Sequence, residues 1–185
     1  MKKSIIIIAI AVVVLVIALL IGGYNGLVSK SEEVKTASAN LDVMLQRRAD
    51  LIPNIVNTVK GYASHETEII EKVTSARTKL TSANTIDEKS AANSELTSSL
   101  NALMVVVENY PDLKASQNFI QLSDELAGTE NRISVARKDY NDAVEVYNLA
   151  VKRFPNNLLA GMFGFEQADY FKADETSKEV PTVEF

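Results

Sequence analysis

The chain's single histidine, His65, is followed by Glu66, the pair with which a zinc-binding helix would begin. A zincin helix needs HExxH, so that two imidazoles fall on one face a turn apart. Here the last position of that pattern is Ile69, and there is no second histidine. A carboxylate-bridged di-iron bundle needs Glu-x-x-His twice, yet the residue three before His65 is Tyr62. Ser64 and His65 make no dyad, because successive side chains on a helix point about 100° apart. With no cysteine in the chain, disulfides and thiol catalysis are excluded. No G-x-S-x-G elbow, Walker loop or dinucleotide fingerprint occurs; Gly161 and Gly164 in AGMFGF lack the flanking strand and the third glycine. No metal or other cofactor is expected. An enzyme would have to work with acids that form no recognisable pair, and is the remotest reading.

The chain has 185 residues, 46% of them hydrophobic, and a formal net charge of −5. Residues 5–21, IIIIAIAVVVLVIALLI, are seventeen consecutive apolar residues, and Gly22-Gly23 extend the uncharged run to nineteen. As a helix this run reaches the roughly 30 Å of a bilayer core. A cleaved signal peptide has a shorter core of about 7–15 residues and a small-x-small site, and a lipoprotein needs a cysteine after the run. The sequence therefore predicts a short flank at 1–4 and a single transmembrane helix at 5–23, with the lipid bilayer as its first partner. Tyr24 suits the headgroup level. Lys2, Lys3 and the amino terminus, set against Lys30 and Lys35, lean toward a cytoplasmic amino terminus with the domain outside. Beyond residue 23 the chain holds 17 basic against 24 acidic residues. Nucleic acid is not an expected partner, because phosphate contacts need clustered cations.

The body reads as all-α, an elongated antiparallel helical bundle over 24–173 followed by an extended tail at 174–185. Three long helices and a short carboxy-terminal one are predicted. In 116–154, Phe119, Leu126, Ile133, Tyr140, Tyr147 and Phe154 recur every seven residues. Leu122, Thr129, Ala136, Ala143 and Ala150 follow three residues later, so large and small columns describe a left-handed seam. The tyrosines read as core packing rather than a ligand box. A helix over about 87–110 carries Leu96, Leu100, Leu103, Val107 and Tyr110, opens on Asp87 and Glu88, and stops at Pro111. From Val34 through Leu41, Leu45, Arg48, Ile52, Ile55, Val59, Tyr62, Glu66, Ile69, Val73 and Ala76 to Leu80, one four-three register runs without a slip. It passes through Pro53, which predicts one long kinked helix over about 28–81, with continuity into the span left open. A break near Pro53, with Asp50 as a cap, is the alternative.

Lengths sharpen that choice. At about 1.5 Å per residue, 28–81 spans roughly 80 Å, 87–110 roughly 36 Å and 116–154 roughly 58 Å. The second helix then covers only the distal half of the first, and Val34, Leu41, Leu45 and Ile52 lack a partner within the chain. Either the chain breaks and folds as a compact bundle of four, or that stripe meets a second copy or another protein. Two charges, Arg48 and Glu66, also stand on the stripe, facing Glu130 and Arg137 at the edge of the last long helix. Arg48 and Glu66 lie about 27 Å apart along a straight helix and the second pair about 10 Å. At most one cross-helix pair forms, or the first helix is broken; the alternative is that these charges snorkel to solvent at the seam edge.

After Phe154, Pro155 suits the start of a new short helix, and Leu158, Leu159, Met162, Phe163 and Phe165 cluster within eight residues. They read as a fourth helix packed on the bundle, or as a docking patch for a membrane or a partner. The stretches YNGLV at 24–28, LDVMLQRRADLIPNIVNTVKGYASHE at 41–66, ENYPDLKASQNF at 108–119, LSDELAGTENRISVARKDYNDAVEVYN at 122–148 and FPNNLLAGMFGF at 154–165 resemble the LemA family. The family's tryptophan near Ser38 is missing. The resemblance implies a bacterial single-pass membrane protein with a helical bundle, of unestablished molecular function. It also implies an external amino terminus, opposite to the charge balance, and a membrane metalloprotease as a partner. The expected function is a membrane-anchored interaction or scaffold protein without catalysis, self-associating or binding another protein. The alternative is an adaptor or regulator of a membrane protease or envelope stress response.

Overall fold

The computed structural model describes residues 2–172, with side chains from Ile6 onward. The extended tail expected at 174–185 lies outside the described residues. Six helices follow in order: α1 (Lys2–Tyr62), α2 (Thr67–Ser82), α3 (Ile86–Val107), α4 (Pro111–Lys114), α5 (Gln117–Lys152) and α6 (Asn156–Phe163). No strand occurs among the described residues. Two compact units form, one from residues 2–38 with 140–168, the other from residues 39–139 with 169–172.

In the larger unit the chain does turn back on itself, but not at Pro53. α1 runs through Pro53 without interruption and ends at Tyr62. A proline leaves the carbonyl four residues earlier without its helical donor, and that carbonyl, Ala49 O, accepts a hydrogen bond from Arg77 Nε at 2.8 Å. The break comes at 63–66, where Ala63 N–H to Val59 O closes α1, Glu66 N–H to Ala63 O spans the turn and Ile70 N–H to Glu66 O opens α2. The single helix expected over 28–81 is therefore two, and α2 runs back along α1. α3 packs on α2 across the three-residue link 83–85. Its start is a capping box: Thr85 Oγ1 accepts from Glu88 N–H at 3.2 Å, and the Glu88 carboxylate accepts from Thr85 N–H at 3.0 Å. Those contacts satisfy amide groups that a helix start leaves without partners. α3 lies parallel to α1, because Lys89–Asp42, Arg48–Asn93 and Tyr110–Glu66 keep nearly constant separations of 47, 45 and 44 residues. α5 returns antiparallel: Asn54 and Thr58 line a groove with Asn118 and Gln121, whereas the earlier Arg47 lines one with Gly128 and Arg132; Glu125 pairs with Arg47 and Glu130 with Arg48. Pro111, expected only as a stop, opens the four-residue α4.

The core of this unit lies on the predicted register. Leu41, Leu45, Ile52, Ile55 and Val59 of α1, Ile69, Val73, Ala76 and Leu80 of α2, Leu96, Leu100 and Leu103 of α3, and Phe119, Leu126 and Ile133 of α5 are buried. α1 also buries Ala49 and Val56 on one flank of this stripe and Leu51 on the other.

In the smaller unit Leu27 and Val34 of α1 are buried, as are Tyr140, Val144, Tyr147 and Val151 of α5. The seam of α5 drifts here. Val144 and Val151 are buried where the seven-residue repeat predicts Ala143 and Ala150, which are only half-covered. A helix of 3.6 residues per turn falls out of step with a seven-residue repeat by about 20° per heptad. Phe154, last of the large column, lies past the end of α5 and is 80% exposed.

Candidate membrane-interface site

In α1, every residue from Ile6 to Gly22 is exposed, and its large apolar side chains keep 46–67% of their surface uncovered. An uncovered apolar helix of this length meets the requirement for crossing a bilayer. Covering begins at Gly23. A Cβ there would lie 2.7 Å from Leu159 Cδ1 and 3.1 Å from Asn156 Oδ1, so the glycine leaves the space that the ends of these two α6 side chains occupy. One residue later, the Tyr24 ring stands edge-on to Phe163, centroids 4.9 Å apart, and to Phe165 at 5.8 Å. Such edge-to-face pairs set the quadrupole of one ring against the other.

Local sequence explains how the aromatic cluster is held. The chain leaves α5 through Arg153-Phe154-Pro155 and starts α6 at Asn156. Gly164 ends α6 with φ 73°, a left-handed conformation that glycine adopts at little cost. Phe165 N–H then donates to Ala160 O at 2.9 Å, which brings the Phe165 ring back to Tyr24. The segment after α6 is fastened to α5 by Asn148. Its Nδ2 donates to Ala168 O and its Oδ1 accepts from Ala168 N–H, both at 2.9 Å. Beside it the Tyr147 hydroxyl is pushed above the usual phenol range, first by burial and then by the Glu166 carboxylate.

The predicted site residues separate into three groups. Val34, Leu41, Leu45 and Ile52 are buried by this chain's own helices. The expectation that they lack a partner within the chain fails: the turn at 63–66 lays α2 and α3 along the part of α1 that carries Leu41, Leu45 and Ile52, and Val34 is buried in the smaller unit with α5. Arg48 and Glu66 serve as ties between helices. Arg48, 4% exposed, has its Nη1 2.6 Å from a Glu130 carboxylate oxygen and 2.7 Å from Asn93 Oδ1. Glu66 accepts from the Tyr110 hydroxyl at 2.8 Å, which raises the phenol's pKa. One of the two proposed cross-helix pairs therefore forms.

The last group is the α6 cluster. Leu159 is buried against Gly23, and Phe165 is half-buried on Tyr24. Leu158, Met162 and Phe163 remain 61%, 74% and 55% exposed. Leu20, Ile21, Tyr24, Leu159, Met162 and Phe163 line an apolar groove of about 260 Å³. Gly23 was missed at the sequence level, although a Gly-Gly pair closing an apolar run is the signal of a close backbone approach. Among the described residues no group of three or more acidic or histidine side chains is placed to hold a metal ion.

The model of the LemA family matches residues 37–185. The chain is 29% identical over 206 aligned residues to Magnetosome protein MamQ 2 of Paramagnetospirillum magneticum, covering 97% of this chain and 75% of that protein. It is also 29% identical over 167 residues to Protein LemA of Metamycoplasma hominis, covering 89% and 76%. Magnetosome protein MamQ of Magnetospirillum gryphiswaldense is 26% identical over 174 residues, covering 80% and 64%.

Proposed function

The chain belongs to the LemA family, and from that premise we propose a single-pass, membrane-anchored helical scaffold whose business is protein contact and not catalysis. The observation that carries this reading is the uncovered stretch Ile6–Ile21, which continues as the same helix into the bundle. The two charges on the apolar register support it, since both are engaged in ties between helices. The relatives' names, magnetosome protein and LemA, are not the names of enzymes.

With the stripe from Val34 to Ile52 buried, contact falls to exposed surface such as Val43, Val105 and Val135, each at least 60% exposed on a different helix. Photoreactive residues at these three positions in the full-length chain, expressed in cells, test the proposal. Capture of a second copy, or of one defined membrane protein, supports it. A membrane metalloprotease is the partner the family resemblance implies, and its capture would favour the adaptor reading. Absence of any protein adduct at all three positions, or substrate turnover by the purified chain, counts against a scaffold. The proposed orientation keeps Lys2 and Lys3 in the cytoplasm. Because the chain has no cysteine, a single Lys3→Cys change gives a clean readout. Labelling by a membrane-impermeant thiol reagent in intact cells overturns that orientation, and protection supports it.

A further inference from the structure

The face of α6 that is not packed on Gly23 is apolar and uncovered. Leu158 and Met162, four residues apart on α6, have 61% and 74% of their surface exposed, Phe163 adds another 55%, and Phe154 in the link before α6 is 80% exposed. A contiguous patch of this kind needs an occupant, and position along α1 says which. Counted from Ile5, Tyr24 lies about 29 Å along the helix axis, close to the roughly 30 Å of the hydrocarbon core. Leu159 touches Gly23, Phe163 touches Tyr24, and Met162 shares a groove with Leu20 and Ile21. The α6 patch therefore continues the lipid-facing surface of the span at the level where acyl chains give way to headgroups.

Charge points the same way. Residues 22–31 and 149–165 contain Lys30, Lys152 and Arg153 and no acid, with Glu32, Glu33 and Glu166 following directly. Cations beside an apolar helix face suit a surface of anionic lipid.

We propose that α6 is an interfacial helix, seated in the bilayer boundary with Leu158, Met162 and Phe163 among the acyl chains, and that the groove between Ile21 and Met162 takes one of those chains. This rests on the membrane-anchor part of the function above. Seated so, α6 and Tyr24 together fix how deep the span sits.

The chain contains no tryptophan, so a single introduced indole reports its own surroundings. Full-length Phe163→Trp, Met162→Trp, Leu15→Trp and Val105→Trp are reconstituted in vesicles of phosphatidylcholine and phosphatidylglycerol, with and without brominated acyl chains. Leu15 lies in the span and Val105 on α3, 59% and 70% exposed respectively. The expected result is quenching of Phe163→Trp and Met162→Trp to an extent comparable with Leu15→Trp, while Val105→Trp is unaffected. Met162→Trp keeps the test valid where Phe163→Trp disturbs the Tyr24 contact. Quenching of Leu15→Trp with neither α6 variant quenched overturns the inference and leaves the anchor standing. A blue-shifted but unquenched α6 indole also overturns it, in favour of a second copy or another protein on this face. No quenching of Leu15→Trp removes the anchor itself and the inference with it.

Discussion

Arg77 Nε donates to Ala49 O at 2.8 Å, and Ala49 O is the carbonyl that Pro53 leaves without its helical donor. A side chain from α2 thus replaces the hydrogen bond that the proline removes from α1. Loss of Arg77 would leave a buried carbonyl unpaired, at a cost of about 1–3 kcal/mol. Pro53→Ala supplies a backbone N–H to the same carbonyl. Arg77→Ala is therefore expected to destabilise the parent clearly and the Pro53→Ala background much less. Chemical denaturation of the four chains in detergent, read as a double-mutant cycle, measures the coupling; equal losses in both backgrounds would refute it.

The tie between Arg48 and Glu130 is asymmetric, since the Arg48 side chain is 4% exposed and that of Glu130 is 39% exposed. Replacing Glu130 by alanine takes a carboxylate from a buried guanidinium. Replacing Arg48 by methionine keeps most of the buried volume and leaves a half-exposed carboxylate and the neutral, buried Asn93 Oδ1 without their donor, but no buried charge. Breaking a buried pair from the side that strands the buried charge costs on the order of 3 kcal/mol. Glu130→Ala should therefore lower the unfolding midpoint more than Arg48→Met. The reverse order would mean that packing around Arg48 outweighs its charge.

Asn148, 5% exposed, holds both polar groups of the Ala168 backbone. In Asn148→Leu those groups lose their partner while the volume is kept, a change of about 1–3 kcal/mol. The local consequence is faster amide hydrogen exchange at 165–168, with α3 unchanged. Uniform acceleration throughout the chain would instead show that Asn148 matters to the whole fold.

Glu88 titrates below the ordinary glutamate range, chiefly because its carboxylate accepts from the Asn84 and Thr85 backbone N–H groups. A depressed folded-state pKa means that the ionised group stabilises the fold above the unfolded pKa. That stabilisation disappears as pH falls through the folded pKa. Glu88→Gln should therefore melt below the parent at neutral pH, and the two melting temperatures should converge as pH falls through the depressed folded-state pKa. A gap that stays constant with pH would assign the effect to shape and not to charge.

Much of this architecture was legible because α3 and α5 repeat their apolar residues at helical spacing and end at or near prolines. The turn at 63–66 was not. Val59 and Ile69 stand in the same apolar phase on either side of it, so the pattern looks like one helix although the backbone bonding stops. Pro53 drew attention to the wrong place, because its local cost is met by Arg77, a partner 24 residues away that no local pattern identifies. The Thr-x-x-Glu signature at Thr85 and Glu88 was readable as a capping box, whereas only its acidic first turn was used. At the interface site the apolar cluster at 158–165 was visible. Its seat on Gly23 was not, because that contact joins residues more than a hundred positions apart in the chain.

The close seat of α6 on Gly23 also restricts how the gene can change length. One codon inserted just before Leu27 would turn the preceding part of α1 by about 100° and set Tyr24, not Gly23, four residues ahead of Leu27. A tyrosine ring would then occupy the space of Leu159. Insertions and deletions between Gly23 and Leu27 would therefore disturb this seat. Residues added or removed ahead of Leu20 change the length of the span and leave the seat in place.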